Sequence, residues 1–113
     1  MRRPHRLILP SVLAVAALAA TVASCGAPAP SNTQAIAAGA KIFAAKCQKC
    51  HGAAGVGGRC PTLNNGNVQK SFSSVANLQG FIKANMPLDN PGSLTNTQAS
   101  EDAQYVWSLY KGK

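Results

Sequence analysis

Apolar residues recur at three- and four-residue steps in three stretches of the chain, the period of a helix with one buried face. The first runs through Ile36, Gly39/Ala40, Phe43 and Cys47. Ser31-Asn32-Thr33-Gln34 ahead of it has the form of a capping box, so a helix is expected through Lys46. Val75, Leu78, Phe81 and Ile82 predict a second, shorter helix. It has to stop before Pro87, because proline bars helical backbone in the residue ahead of it. Ala99, Ala103, Val106 and Tyr110 carry the third period, with Asp102, Tyr105 and Leu109 alongside. Thr95 and Gln98 offer it a second capping box, and Leu94 is placed to pack on Ala99 as a hydrophobic staple. Gly52 to Asn67 holds five glycines and no apolar period, which predicts a loop, and Asp89-Asn90-Pro91-Gly92 reads as a turn. No strand alternation and no internal repeat is visible, so the expected fold class is all-α, with three to four helices.

The N-terminal stretch has a different pattern. Arg2, Arg3 and Arg6 precede Leu7 to Ser24, which is uncharged and rich in Ala, Leu and Val. A basic start followed by an apolar run is an export signal. Val22-Ala23-Ser24-Cys25 resembles the bacterial lipobox, where a cysteine receives a diacylglyceryl group before the leader is cut. Gly26 to Asn32 then forms a charge-free Gly/Ala/Pro/Ser stretch. The expected organisation is a lipoprotein signal over 1–24, a flexible tether over 25–33 and a folded domain over 34–113, with lipidation at Cys25. An uncleaved membrane anchor and ordinary cleavage to a secreted form are the alternatives. A twin-arginine signal fits poorly, since Arg2-Arg3 runs into Pro4 and His5.

Composition narrows the class further. The 113 residues allow one small domain and exclude dinucleotide-fold or barrel enzymes. A hydrophobic fraction of 46% argues against a disordered chain. The formal charge of +8 is misleading, because three arginines lie in the leader. From Cys25 onward there are eight basic and three acidic residues, a net charge of +5 with no basic stripe, which argues against nucleic-acid binding. A domain this small needs a staple or a cofactor to complete its core.

Cys47-Gln48-Lys49-Cys50-His51 supplies one. C-x-x-C-H is the pattern of c-type haem attachment: two thiols bond the porphyrin vinyl groups and the adjacent imidazole ligates iron. Two cysteines three apart on a helical turn reach two vinyls on one porphyrin edge. An export signal agrees, because covalent haem attachment takes place outside the cytoplasm. A thioredoxin-like dithiol would need a preceding strand, and a zinc site on Cys47, Cys50, Cys60 and His51 would need adjacent residues to share one ion. The expected cofactor is therefore one covalent haem c, with His51 as an iron ligand. Past the leader there is no second histidine and one methionine, Met86, in Asn85-Met86-Pro87. Met86 follows as the sixth ligand by elimination, with Lys83, Cys60 or mere core packing of Met86 as the other readings. His/Met ligation raises the potential relative to His/His. In the glycine-rich loop, glycine serves either close approach of backbone to the flat ring or simple flexibility.

These features resemble the class I cytochromes c over Ala38 to about Leu109. Gly39 and Phe43 match that family's N-terminal helix, and Tyr105 the aromatic partner on its C-terminal helix. Cys50-His51-Gly52, Gly55/Gly57 and Pro61-Thr62-Leu63 resemble its loop beneath the haem. The resemblance implies that helices wrap one haem and that the Pro61 carbonyl accepts the second N–H of His51. Phe81 to Leu88 and Gly92-Ser93-Leu94-Thr95 resemble the haem domains of thiosulfate dehydrogenases and small sulfur-oxidation cytochromes. Cys60 before the proline and the lack of a second haem motif depart from that narrower pattern.

The expected function is single-electron transfer outside the cytoplasm between redox protein partners, by a protein lipid-anchored to a bacterial membrane, in the periplasm or at the cell surface. Two alternatives stand beside it: the haem subunit of a thiosulfate-oxidising enzyme, with Cys60 or a partner supplying the sulfur, and a haem sensor with a labile Met86. Lys46, Lys49 and Lys83 either ring the haem edge and steer acidic partners or serve solubility. Phe43, Tyr105 and Trp107 are read as packing residues. Beyond two or three exposed acids among Asp89, Glu101 and Asp102 no general base remains, so no catalytic residue is assigned and a carrier is favoured over an enzyme.

Overall fold

The computed structural model describes residues 31–112, so the expected signal segment, Cys25 and the tether up to residue 30 lie outside the described residues. Five α-helices follow in order: α1 (Asn32–Lys46), α2 (Gln48–His51), α3 (Asn67–Ser71), α4 (Val75–Asn85) and α5 (Asn96–Ser108). A single 3-10 turn spans Ala53–Gly55, and no strand occurs among the described residues.

The caps set where the long helices begin. Ser31 Oγ accepts from the Gln34 amide at 3.3 Å while Gln34 Oε1 accepts from the Ser31 amide at 3.0 Å. The helix therefore starts inside the stretch expected as tether, at Asn32. Thr95 and Gln98 repeat the device on α5 at 3.1 and 2.9 Å. Each box satisfies two amides that the first turn leaves without a partner. Ser74 caps α4 in the simpler way, accepting from the Asn77 amide at 3.2 Å. At the other end Met86 is extended, at φ −116° and ψ 155°, as Pro87 requires.

α5 is the centre of the packing, with α1 across one side and α4 across another. At Gly39 the α1 and α5 backbones touch. A Cβ there would lie 2.0 Å from the Glu101 carbonyl oxygen and 2.8 Å from Tyr105 Cβ, so only glycine fits. One turn on, the Phe43 and Tyr105 rings meet at 5.3 Å with a 55° tilt, the offset geometry that aromatic quadrupoles favour. Phe43, Leu78, Ile82, Leu94, Ala99, Ala103 and Val106 form one buried cluster. Leu94 and Ala99 are both in it, as the staple requires.

Two elements differ from the sequence pattern. The period assigned to the third helix does not reach Tyr110, because α5 ends at Ser108. The Tyr110 ring instead lies against Gly66, 3.0 Å from where a Cβ would stand. The expected loop contains the 3-10 turn, and it gives way at Asn67 to α3, which follows Gly66 in left-handed backbone at φ +87°. α3 buries one residue, Val68, so it has no apolar repeat to read.

Candidate haem site

α1 runs directly into the attachment motif. Cys47 caps it, its amide bonding the Phe43 carbonyl, and α2 turns Cys50 and His51 towards the same side. The glycine loop then folds back along α2. Gly57 donates to the His51 carbonyl at 2.7 Å, Cys60 to the Cys50 carbonyl at 3.0 Å and Leu63 to the Gly55 carbonyl at 2.8 Å. Gly52 makes that reversal, at φ +79° with space for no Cβ, since one would stand 2.5 Å from the Gly57 carbonyl oxygen. Glycine at this position serves chain reversal and backbone contact.

The reversal brings Pro61 under the histidine. His51 Nδ1–H donates to the Pro61 carbonyl at 2.8 Å. That bond fixes the tautomer and leaves Nε2 with its lone pair for a metal. His51 is 8% exposed.

A cavity of about 330 Å³ opens beside it, walled by Phe43, Leu63, Phe81, Ile82 and Val106. Cys47, Cys50, His51 and Met86 all line this one cavity. Cys47, Cys50 and Cys60 are free thiols. A flat apolar macrocycle with two vinyl groups and an iron fits this donor set: two thiols three residues apart, one oriented imidazole and one thioether. Of the other candidate ligands, Lys83 does not line the cavity; its Nζ donates to the Gly92 carbonyl at 3.2 Å. Cys60 does line it, but against Cys50, with its thiol held above the usual range by its surroundings and by hydrogen bonding to Cys50.

The charges at the mouth differ from the expected ring of three lysines. Lys46 and Lys49 line the cavity together with Arg59, whose Nη2 reaches Cys50 Sγ at 3.9 Å. Lys49 is paired with Asp89, which holds the lysine above its usual range and the carboxyl below its own. Both groups are exposed, so the pair contributes little to stability.

Asp102 corrects the expectation of exposed acids. It is 2% exposed and lines the cavity from α5. Oδ2 accepts from Cys47 Sγ at 3.7 Å, and Oδ1 has no partner. Burial pushes its carboxyl up to about 6, against a smaller downward pull from the Cys47 hydrogen bond. Burial, then the Asp102 charge, pushes the Cys47 thiol up to about 12. The signal was in the sequence: Asp102 stands three residues after Ala99 and four before Val106, on the apolar face.

A family model described as cytochrome C oxidase, cbb3-type, subunit III matches residues 34–106, more than half of the chain. No curated protein and no solved structure matches it. The matched span takes in the attachment motif, the loop beneath it, Met86 and nearly all of α5. With an all-α fold and this donor set around one apolar cavity, the chain belongs to that family, as a c-type cytochrome that carries electrons on a covalently bound haem c.

Proposed function

We propose that Cys47 and Cys50 hold the haem by thioether bonds, that His51 Nε2 and Met86 Sδ ligate its iron, and that the protein passes single electrons between redox proteins outside the cytoplasm. The observation that carries this reading is the convergence of those four side chains on one cavity, with His51 already oriented by Pro61. When bound, the haem supplies a one-electron ferric/ferrous couple. The chain supplies the rest. Pro61 raises the basicity of the imidazole, Met86 brings a soft sulfur that favours the reduced state, and the apolar walls exclude water. With His51 and Met86 both given to the iron, the chain would leave no position there for a substrate, which suits a carrier.

Phe81 and Leu88 line the cavity and are exposed, as are Lys46 and Arg59. An apolar rim with basic residues beside it fits transient docking of an acidic redox partner. The terminal acceptor is of the oxidase class named in the family's description. In this reading Cys25 carries a lipid in a bacterial membrane. The six residues from Cys25 to Pro30 reach at most about 20 Å, so the domain stays close to that surface. Cys25→Ala then moves the protein from the membrane fraction to the soluble one.

The absorption spectrum tests the ligation. The oxidised protein should show the weak far-red charge-transfer band of methionine sulfur on ferric haem, and the reduced protein should ignore carbon monoxide. Met86→Ala should lose the band and bind carbon monoxide. A high-spin spectrum or ready carbon monoxide binding in the unaltered protein overturns the ligation and favours the sensor reading. Cys60 beside the cofactor cavity is the observation that favours the thiosulfate-oxidising alternative. Reduction of the purified protein by thiosulfate without any partner would establish it over the carrier.

A further inference from the structure

Asp102 is a buried acid that haem ligation does not use, and its surroundings leave it without a counter-charge. Its Oδ1 is wholly buried and unpartnered, and its Oδ2 has one donor, the Cys47 thiol at 3.7 Å. That donor disappears when the Cys47 sulfur bonds a vinyl carbon, because the thiol proton is consumed in the addition. The other titratable groups of the cavity and of the elements around it offer no replacement. From α1, Lys46 is exposed at the mouth. From α2, Lys49 is committed to Asp89, and His51 gives its Nδ1–H to Pro61. Arg59 and Cys60 are engaged at Cys50. Lys83, the titratable residue of α4, turns to the Gly92 carbonyl. On α5 itself, Glu101 adds charge of the same sign and Tyr105 packs on Phe43.

A buried carboxylate in this position needs either a proton or a positive charge inside the cavity. The cofactor would supply such a charge in one redox state: its iron–porphyrin core, apart from the two propionates, carries one positive charge when ferric and none when ferrous. We propose that Asp102 is a redox-linked proton site, ionised beside the oxidised cofactor and protonated beside the reduced one. The step balances. A one-electron donor protein gives the electron to the iron, solvent gives the proton to the Asp102 carboxylate, and both leave on reoxidation. Burial raises the Asp102 carboxyl to about 6 while the Cys47 thiol still donates to it, and loss of that donor acts in the same upward direction, which brings it within reach of the cofactor's change of charge. The inference rests on the reading that haem fills the cavity lined by Cys47, Cys50 and Met86, and makes the carrier one of a proton together with an electron.

The test is a redox titration of the holoprotein from about pH 4 to pH 9, spanning the ordinary carboxyl and histidine ranges. The potential should fall with rising pH, with a slope approaching one proton per electron, which for a tenfold change in proton activity is about 59 mV. Asp102→Asn should have a higher potential, since a negative charge near the ferric centre is gone, and should lose that slope. A flat titration in the unaltered protein overturns the proposal. So does a slope that persists in Asp102→Asn, which would place the proton on another group such as a haem propionate. Redox-difference infrared spectra of protein labelled with carbon-13 aspartate cover the case in which the variant fails to fold. A protonated-carboxyl band that appears on reduction and shifts with the label supports the proposal, and its absence refutes it. The far-red band and the carbon monoxide response, read on the same samples, report failure of the His51/Met86 ligation separately from failure at Asp102.

Discussion

His51 has one ring nitrogen to give to iron because the Pro61 carbonyl, 2.8 Å from Nδ1, occupies the other. The proline ring fixes the backbone φ, which holds that carbonyl beneath the imidazole. Cys60, the neighbour of Pro61, sits against Cys50 on the same stretch of chain. In the ligation proposed here it gives nothing to the iron. Cys60→Ser should therefore leave the absorption spectrum of both oxidation states unchanged and the reduced form inert to carbon monoxide. A shifted far-red band in that variant would return Cys60 to the list of ligands.

Helix α1 delivers the haem motif, and its seat on α5 decides where the motif stands. Gly39 is the contact, and an added methyl would press on the Glu101 backbone, which cannot move without shifting α5. Gly39→Ala should destabilise the holoprotein by about 3 kcal/mol, seen as a lower urea midpoint, because overpacking here strains backbone as well as side chains. The capping box of α5 acts on the same helix from its end. Thr95→Ala removes one acceptor from the first turn and should cost about 1 kcal/mol, with the spectrum intact. The helices α1, α4 and α5 were legible as periods of apolar residues with caps, since each buries one continuous face. α3 was not, because one buried valine makes no period, and Tyr110 was misplaced because its ring packs against Gly66 by tertiary contact rather than by helical register.

Across the whole molecule, pH acts on stability through Asp102. Its carboxyl stands at about 6 in the fold, against about 3.9 in an unfolded chain, so between those values the folded state binds more protons. Stability is then greatest below about pH 4 as far as this group is concerned, and declines as pH rises through about 6, by about 3 kcal/mol in all. The urea midpoint of the reduced protein should fall over that window, and Asp102→Asn should flatten the fall. The oxidised protein should show less of it, since the cofactor's positive charge then offsets the carboxylate.

The helical class and the covalent haem c follow from local patterns in the chain, and those patterns mark Cys47 and Cys50 as the candidate points of attachment. C-x-x-C-H is a local pattern, and the chemistry it serves needs no knowledge of the rest of the chain. Elimination brought Met86 forward, since it is the single methionine besides Met1. What converges on the cavity from a distance depends on how the helices pack. Their packing turned Lys83 away to Gly92, paired Lys49 with Asp89 and buried Asp102 beside Cys47, 55 residues earlier in the chain. Burial and pairing are properties of neighbours in space. A charged residue on an apolar helical face can be recognised in the sequence, but what it faces is settled by the packing of α5 against α1.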